Sequence, residues 1–137
     1  FATYNGVRSF MDDVISKAEK TGYVETIFGR RRYIRGINSR NKLEKSGAER
    51  MAINTPIQGS AADIVKKAML NVTDELQKND IPAKLLVQVH DELIFDCLKE
   101  ELEIVRKIVK EKMEGAVKLS IPLIADSNSG ENWFVAK

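Results

Sequence analysis

One stretch limits the fold more than any other: Leu85-Leu86-Val87-Gln88-Val89-His90-Asp91-Glu92-Leu93-Ile94-Phe95. Two apolar, β-branched runs flank the chain's single histidine and two adjacent acids. Runs of this kind read as strands, and the polar interruption reads as the bend of a hairpin. Leu85, Val87 and Val89 are expected on one face, with Leu86, Gln88 and His90 on the other. Helical patterns precede and follow the hairpin. The expected class is therefore α+β: mostly helices packed on one side of a small antiparallel sheet that carries the hairpin. The length of 137 residues suits one domain, 1–137, with no internal boundary.

The bend presents Asp91 and Glu92 at a stiff, exposed tip. Adjacent carboxylates repel one another, and a hard divalent cation such as Mg²⁺ offsets that repulsion with oxygen ligands. An ordinary polar hairpin turn accounts for the same spacing equally well. His90 beside Asp91 lacks the serine or cysteine context of a nucleophilic hydrolase.

Along the rest of the chain, Val7, Phe10, Met11, Val14, Ile15 and Ala18 recur at helical spacing, and Gly22 supplies a stop. Residues 23–28 and 33–34 read as a short hairpin with arginines at or near its tip. Residues 35–45 read as an exposed basic connection. Ser46-Gly47-Ala48-Glu49 has the spacing of a capping box, which predicts a helix start there. Thr55-Pro56-Ile57-Gln58 repeats a start signal. The long helix that follows has Ile57, Ala61, Ile64, Val65, Ala68, Val72 and Leu76 on its apolar face. The small residues Gly59, Ser60, Ala61 and Ala62 let another backbone approach or simply serve helix packing. A second amphipathic helix over 100–114 turns Leu102, Val105, Ile108, Val109 and Met113 inward and ends at Gly115. A short strand is expected over 121–125, and Trp133 is expected to pack near the end.

Composition narrows the function classes. No apolar run approaches the ~18 residues of a membrane helix, and there is no signal-peptide pattern. Cys97 is the only cysteine, which excludes a disulfide framework and a cysteine-cluster zinc site and suits an intracellular setting, cytoplasm, nucleoid or organelle. The net charge of +2 is unevenly spread: residues 1–70 carry +6 and residues 71–137 carry −4. Eight basic residues (Arg30, Arg31, Arg32, Arg35, Arg40, Lys42, Lys45 and Arg50) crowd positions 30–50 against Glu44 and Glu49. A stripe of this density attracts polyanions, although a solvated surface loop has the same composition.

Several stretches together resemble DNA polymerase family A, the DNA polymerase I family. Gln88-Val89-His90-Asp91-Glu92 looks like the family's palm motif C. Residues 23–33 resemble its Gly-Tyr-x-Glu-Thr-x-x-Gly-Arg-Arg stretch. Residues 49–63 resemble its Glu-Arg-x-x-x-Asn-x-Pro-x-Gln-Gly-Thr-Ala-Ala-Asp stretch. Gly130-Glu131-Asn132-Trp133 is similar to its C-terminal ending. The matches lie in family order and cover nearly the whole chain. The resemblance implies a DNA-directed DNA polymerase that adds nucleotides to a primer 3′ end by a two-metal mechanism with two Mg²⁺ ions. Asp91 would be the metal-holding carboxylate and Glu92 its assisting neighbour. Gln88 and His90 would lie beside the primer end. Asn54 and Gln58 would touch the minor groove and Arg50 the DNA backbone, with Arg30, Arg31 and Arg32 also facing DNA. Donors in the minor groove meet acceptors common to every base pair, which checks shape without reading sequence. The implied partners are primer-template DNA and deoxynucleoside triphosphates.

The family pattern also needs a second metal-binding aspartate in an Asp-Tyr-Ser-Gln-Ile-Glu-like strand and a nucleotide-binding helix, and neither stretch occurs here. Asp12-Asp13 lies in an amphipathic helix without that context. With no initial methionine, the chain is expected to be the C-terminal part of the polymerase domain, some fingers and the motif C half of the palm. It would be inactive alone and would need an upstream half, either as a fragment or as one subunit of a split enzyme. Ile124-Ala125-Asp126-Ser127-Asn128-Ser129 is more polar than the family's usual ending, which weakens the expected strand. A non-catalytic DNA-binding module derived from a palm, and a small structural protein with a chance motif, are the alternatives.

Overall fold

The computed structural model describes residues 4–137. Their contacts separate two compact units, one up to Asp63 and one from Ile64 onward.

In the first unit, α1 (Asn5–Thr21) follows the predicted spacing. Only its C-terminal end is covered: Ala18 is buried and Val14 packs beside it, while Val7 and Phe10 are exposed. The helix closes through Gly22, whose φ of 82° is the left-handed conformation glycine adopts without a Cβ penalty, and whose amide donates to the Ala18 carbonyl at 2.7 Å. Strands β1 (Tyr23–Glu25) and β2 (Arg31–Tyr33) then pair antiparallel, with Tyr23 opposite Tyr33 and Glu25 opposite Arg31. Arg30 thus closes the bend, whereas Arg31 and Arg32 belong to the second strand. Ala18, Val24, Ile34, Ile37, Ala48 and Ala52 form the core of this unit. Ile37 is buried within the segment expected to be an exposed connection.

Helix α2 runs Lys42–Asn54, starting earlier than the capping-box reading placed it. Its true cap is Asn41, whose side chain accepts from the Leu43 and Glu44 amides. A cap that satisfies orphan donors at 41 leaves Ser46-Gly47-Ala48-Glu49 as interior helix. Thr55-Pro56 does not begin a new helix either. Residues Thr55–Gly59 form a π turn that runs directly into α3 (Ser60–Lys78). An interior proline removes an amide donor and crowds the carbonyl of the preceding turn, and a π turn is a local widening that accommodates such a fault. The Thr55 hydroxyl donates at 2.8 Å to the Met51 carbonyl, which also accepts the Thr55 amide.

In the second unit, Ala68, Val72 and Leu76 of α3 are buried as predicted, and Ile64 and Val65 are half-buried; Ile57 and Ala61, at the end of the expected stripe that falls in the first unit, are exposed. Helix α4 (Leu102–Glu114), preceded by a 3₁₀ turn at Lys99–Glu101, brings Val105 against Val72 and Leu76. Ile81, Phe95, Ile108, Val109 and Met113 pack around them. Full burial of an aliphatic side chain contributes on the order of 1.5–3 kcal/mol, so this small cluster carries much of the unit's stability. Glu75 on α3 meets Lys112 on α4 at 3.5 Å. Hydrogen bonding from Asn79, then the Lys112 charge, holds the Glu75 carboxyl below its ordinary range.

The α+β class holds, with the strands among the described residues in two separate two-stranded ladders, β1–β2 and β3–β4 (Lys84–Val89 and Glu92–Asp96). The strand expected over 121–125 is absent: those residues pair with no strand among the described residues, and Ile121 and Ile124 are about 70% exposed. Trp133 opens a short helix, α5 (Trp133–Ala136), and is 48% exposed, so it does not pack as expected. Among the described residues, no helix is long and apolar enough to cross a membrane.

Candidate functional site

The hairpin of the second unit is the one the sequence describes. Val89 pairs with Glu92, which leaves His90 and Asp91 as a two-residue bend. The ladder shifts register between Leu85 and Val87, so Leu86 is an extra residue and the expected strict alternation from Leu85 to Val89 breaks there. Such a bulge adds twist and re-aims the strand beyond it. At the tip, His90 has a φ of 53°, a left-handed conformation uncommon for a residue with a side chain. The Gln88 side-chain amide donates to the His90 carbonyl at 2.9 Å, which ties the bend to its own strand. Gln88, His90, Asp91 and Glu92 are all exposed.

Neither Asp91 nor Glu92 forms an ion pair or hydrogen bond through its carboxylate with another described residue. Two hard carboxylates on a braced bend fit the donor chemistry of magnesium. Their number falls short of a complete site: among the described residues, no group of three or more His, Cys, Asp or Glu converges. Asp12 and Asp13 are exposed on α1 and form no such group.

The first unit carries the basic and amide residues. Arg50, Asn54 and Gln58 are all exposed, at four-residue intervals along α2 and the π turn. A four-residue step in an α-helix overshoots a full circuit by about 40°. The wider π turn reduces that drift between Asn54 and Gln58. The three neighbouring arginines have different surroundings. Arg30 donates from Nε to Asp63 at 2.9 Å. Arg31 lies over the Tyr23 ring at 4.3 Å and bonds Glu25 at 3.0 Å. The Glu25 bond, with Tyr23 behind it, holds the Arg31 guanidinium above its ordinary range. Arg32 donates to the Thr55 hydroxyl at 3.3 Å.

Sequence reasoning missed the residues that brace this face: Thr26, Thr55, Ser60 and Asp63. Thr26 donates from its hydroxyl to Asp63 at 2.7 Å, and the Ile27 amide donates to the Ser60 hydroxyl at 2.9 Å. These pairs lie 37 and 33 residues apart, and no local pattern signals them. Gly59 was the one visible hint. The close approach it allows is made by a side chain, since a Cβ built there would come within 2.9 Å of the Thr26 methyl.

The fold as a whole is that of a segment of a polymerase domain. It matches a structure of the POL domain of Pol1 from M. smegmatis in complex with DNA primer-template and dNTP, with a TM-score of 0.96 and 41% identity, over 99% of this chain and 24% of that one. More narrowly, residues 1–135 match the model of DNA polymerase family A, and the chain belongs to that family. It is 51% identical over 135 residues to DNA polymerase I of Bacillus subtilis (strain 168), covering 98% of this chain and 15% of that protein. It is 50% identical over 137 residues to DNA polymerase I of Geobacillus stearothermophilus, covering 100% of this chain and 16% of the relative. The chain thus spans about one-sixth of the length of these relatives.

Proposed function

We propose that this chain is the part of a DNA-directed DNA polymerase that contributes one metal-holding carboxylate, Asp91, and a face for primer-template DNA. The observation that carries the reading is the match of essentially the whole chain to family A, with Asp91 exposed and unpaired on a braced bend.

In this reading, Asn54 and Gln58 offer amide donors to minor-groove acceptors, and Arg50 neutralises a backbone phosphate. Arg30, Arg31 and Arg32 add sequence-blind attraction. The Gln88–His90 hydrogen bond fixes the bend beside the primer end, so that Asp91, assisted by Glu92, keeps a defined position. Asp91 would hold magnesium, and the Lewis acidity of two such ions serves nucleotidyl transfer by activating the primer hydroxyl and stabilising the leaving pyrophosphate. Deoxynucleoside triphosphates are the second substrate. One carboxylate pair cannot complete a two-ion site, so the isolated chain does not extend primers and depends on carboxylates supplied by an upstream polymerase segment.

The test is Asp91→Ala in a complete polymerase carrying this chain. Primer extension collapses while primer-template affinity stays nearly unchanged. Extension surviving the substitution would favour a non-catalytic DNA-binding module, and extension by the pure isolated chain would contradict the dependence on an upstream segment.

A further inference from the structure

The β1–β2 bend is fastened to the helix across from it by a set of hydrogen bonds. Asp63, whose side chain is only 11% exposed, accepts from Thr26 at 2.7 Å through one oxygen and from Arg30 Nε at 2.9 Å through the other. The Thr26 hydroxyl oxygen in turn accepts from the Arg30 amide at 3.3 Å. Arg30 Nη2 reaches the Gly59 carbonyl at 3.5 Å, one residue beyond Gln58. Thr26 is buried, yet the Arg30 side chain is 54% exposed, so part of its fork of donors faces solvent.

This asymmetry is informative. An arginine that served only to bridge two elements would gain most by burying its whole fork against the carboxylate in bidentate geometry. Here the carboxylate holds Nε and shares its second oxygen with a threonine. The guanidinium plane is fixed from behind, and its outer edge is left beside the π turn that carries Gln58. Arginine side chains carry much rotamer entropy, and a plane fixed in advance loses less of it on meeting a phosphate.

We infer that Asp63 and Thr26 are positioning residues that aim Arg30 at a backbone phosphate of bound DNA. The inference rests on the proposed DNA-facing role of this unit and goes beyond it by assigning a function to two residues that do not touch DNA themselves.

The experiment measures primer-template affinity in the complete polymerase carrying this chain, for Arg30→Ala, Thr26→Val, Thr26→Ser, Asp63→Asn, and Arg30→Ala combined with either Thr26→Val or Asp63→Asn. Thr26→Val removes the hydroxyl without changing charge. It weakens binding by about fivefold alone and has no further effect once Arg30 is alanine, while Thr26→Ser binds as the parent does. Arg30→Ala lowers the salt dependence of binding by about one phosphate contact, and Thr26→Val leaves that dependence unchanged because the charge remains. Equal losses from Thr26→Val with and without Arg30 would overturn the inference, since the threonine would then act on the fold alone. A gain in affinity from Asp63→Asn would also overturn it, by showing Asp63 to be only a counter-charge. No change on Arg30→Ala would instead overturn the reading of Arg30 as a DNA contact.

Discussion

Replacing Gly59 with alanine sets two effects against each other in one position. Alanine favours a helical backbone over glycine by about 1 kcal/mol. The added Cβ, however, would lie 2.9 Å from the Thr26 methyl and 3.4 Å from Arg30 Nη2. The methyl cannot easily retreat, because Thr26 is 6% exposed and its hydroxyl is bound to Asp63. Overpacking of this kind costs about 1–3 kcal/mol, so with the helical gain subtracted Gly59→Ala should destabilise the segment by about 1 kcal/mol net. Gly47 in the interior of α2 provides the control, since a Cβ there meets nothing within 4 Å. Gly47→Ala should therefore stabilise by about 0.4–1 kcal/mol. Native-state hydrogen exchange of the α2 and π-turn amides reads both changes locally. Adding Thr26→Ser removes the methyl and keeps the hydroxyl, so it should recover about 1 kcal/mol of the Gly59→Ala loss. Gly59→Ala at or above parental stability, or a loss that Thr26→Ser fails to relieve, would refute the packing argument.

At the hairpin tip, His90→Gly removes the penalty of a side chain at a φ of 53° and should stabilise the bend by about 1 kcal/mol, measured by thermal unfolding. Val72→Ala empties a fully buried site between α3 and α4 and should cost about 2–3 kcal/mol in urea unfolding, with little change at the first unit's amides. Burial, with Asp96 and Glu101 nearby, holds the Cys97 thiol above its ordinary range. The thiolate fraction at neutral pH is then reduced, and iodoacetamide should label Cys97 more slowly than a free cysteine peptide, with the rate rising as pH increases.

The hairpin was legible because its signals are local: β-branched runs of the right length around a polar bend. Its bulge was not, since nothing in Leu85-Leu86-Val87 marks which residue lies outside the ladder. The start of α2 was misread because a good cap pattern at Ser46 competed with a better cap at Asn41 hidden in a charged stretch. Pro56 misled in the opposite direction: proline usually marks a boundary, and here a π turn absorbs it. The apolar residues of 121–125 suggested a strand, but a strand needs a partner, and none lies among the described residues. In the candidate site, the acids at the tip were readable from local spacing, whereas Arg50, Asn54 and Gln58 were singled out by the family resemblance alone. The Thr26–Asp63–Arg30 contacts were not readable, because they depend on chain closure over more than thirty residues.

The β1–β2 ribbon is moored at both ends, by Val24 and Ile34 in the core at one end and by Thr26 and Asp63 at the other. Arg31, opposite Glu25, lies between the moorings and Tyr33 lies beside Ile34; both are exposed, and their contacts with Glu25 and Tyr23 are made at the surface, outside the buried core. Evolution can therefore revise those positions at small cost to the scaffold. Preservation of arginine and tyrosine there across descendants of this chain would record selection for what the ribbon touches, free of the confounding demand that the protein fold.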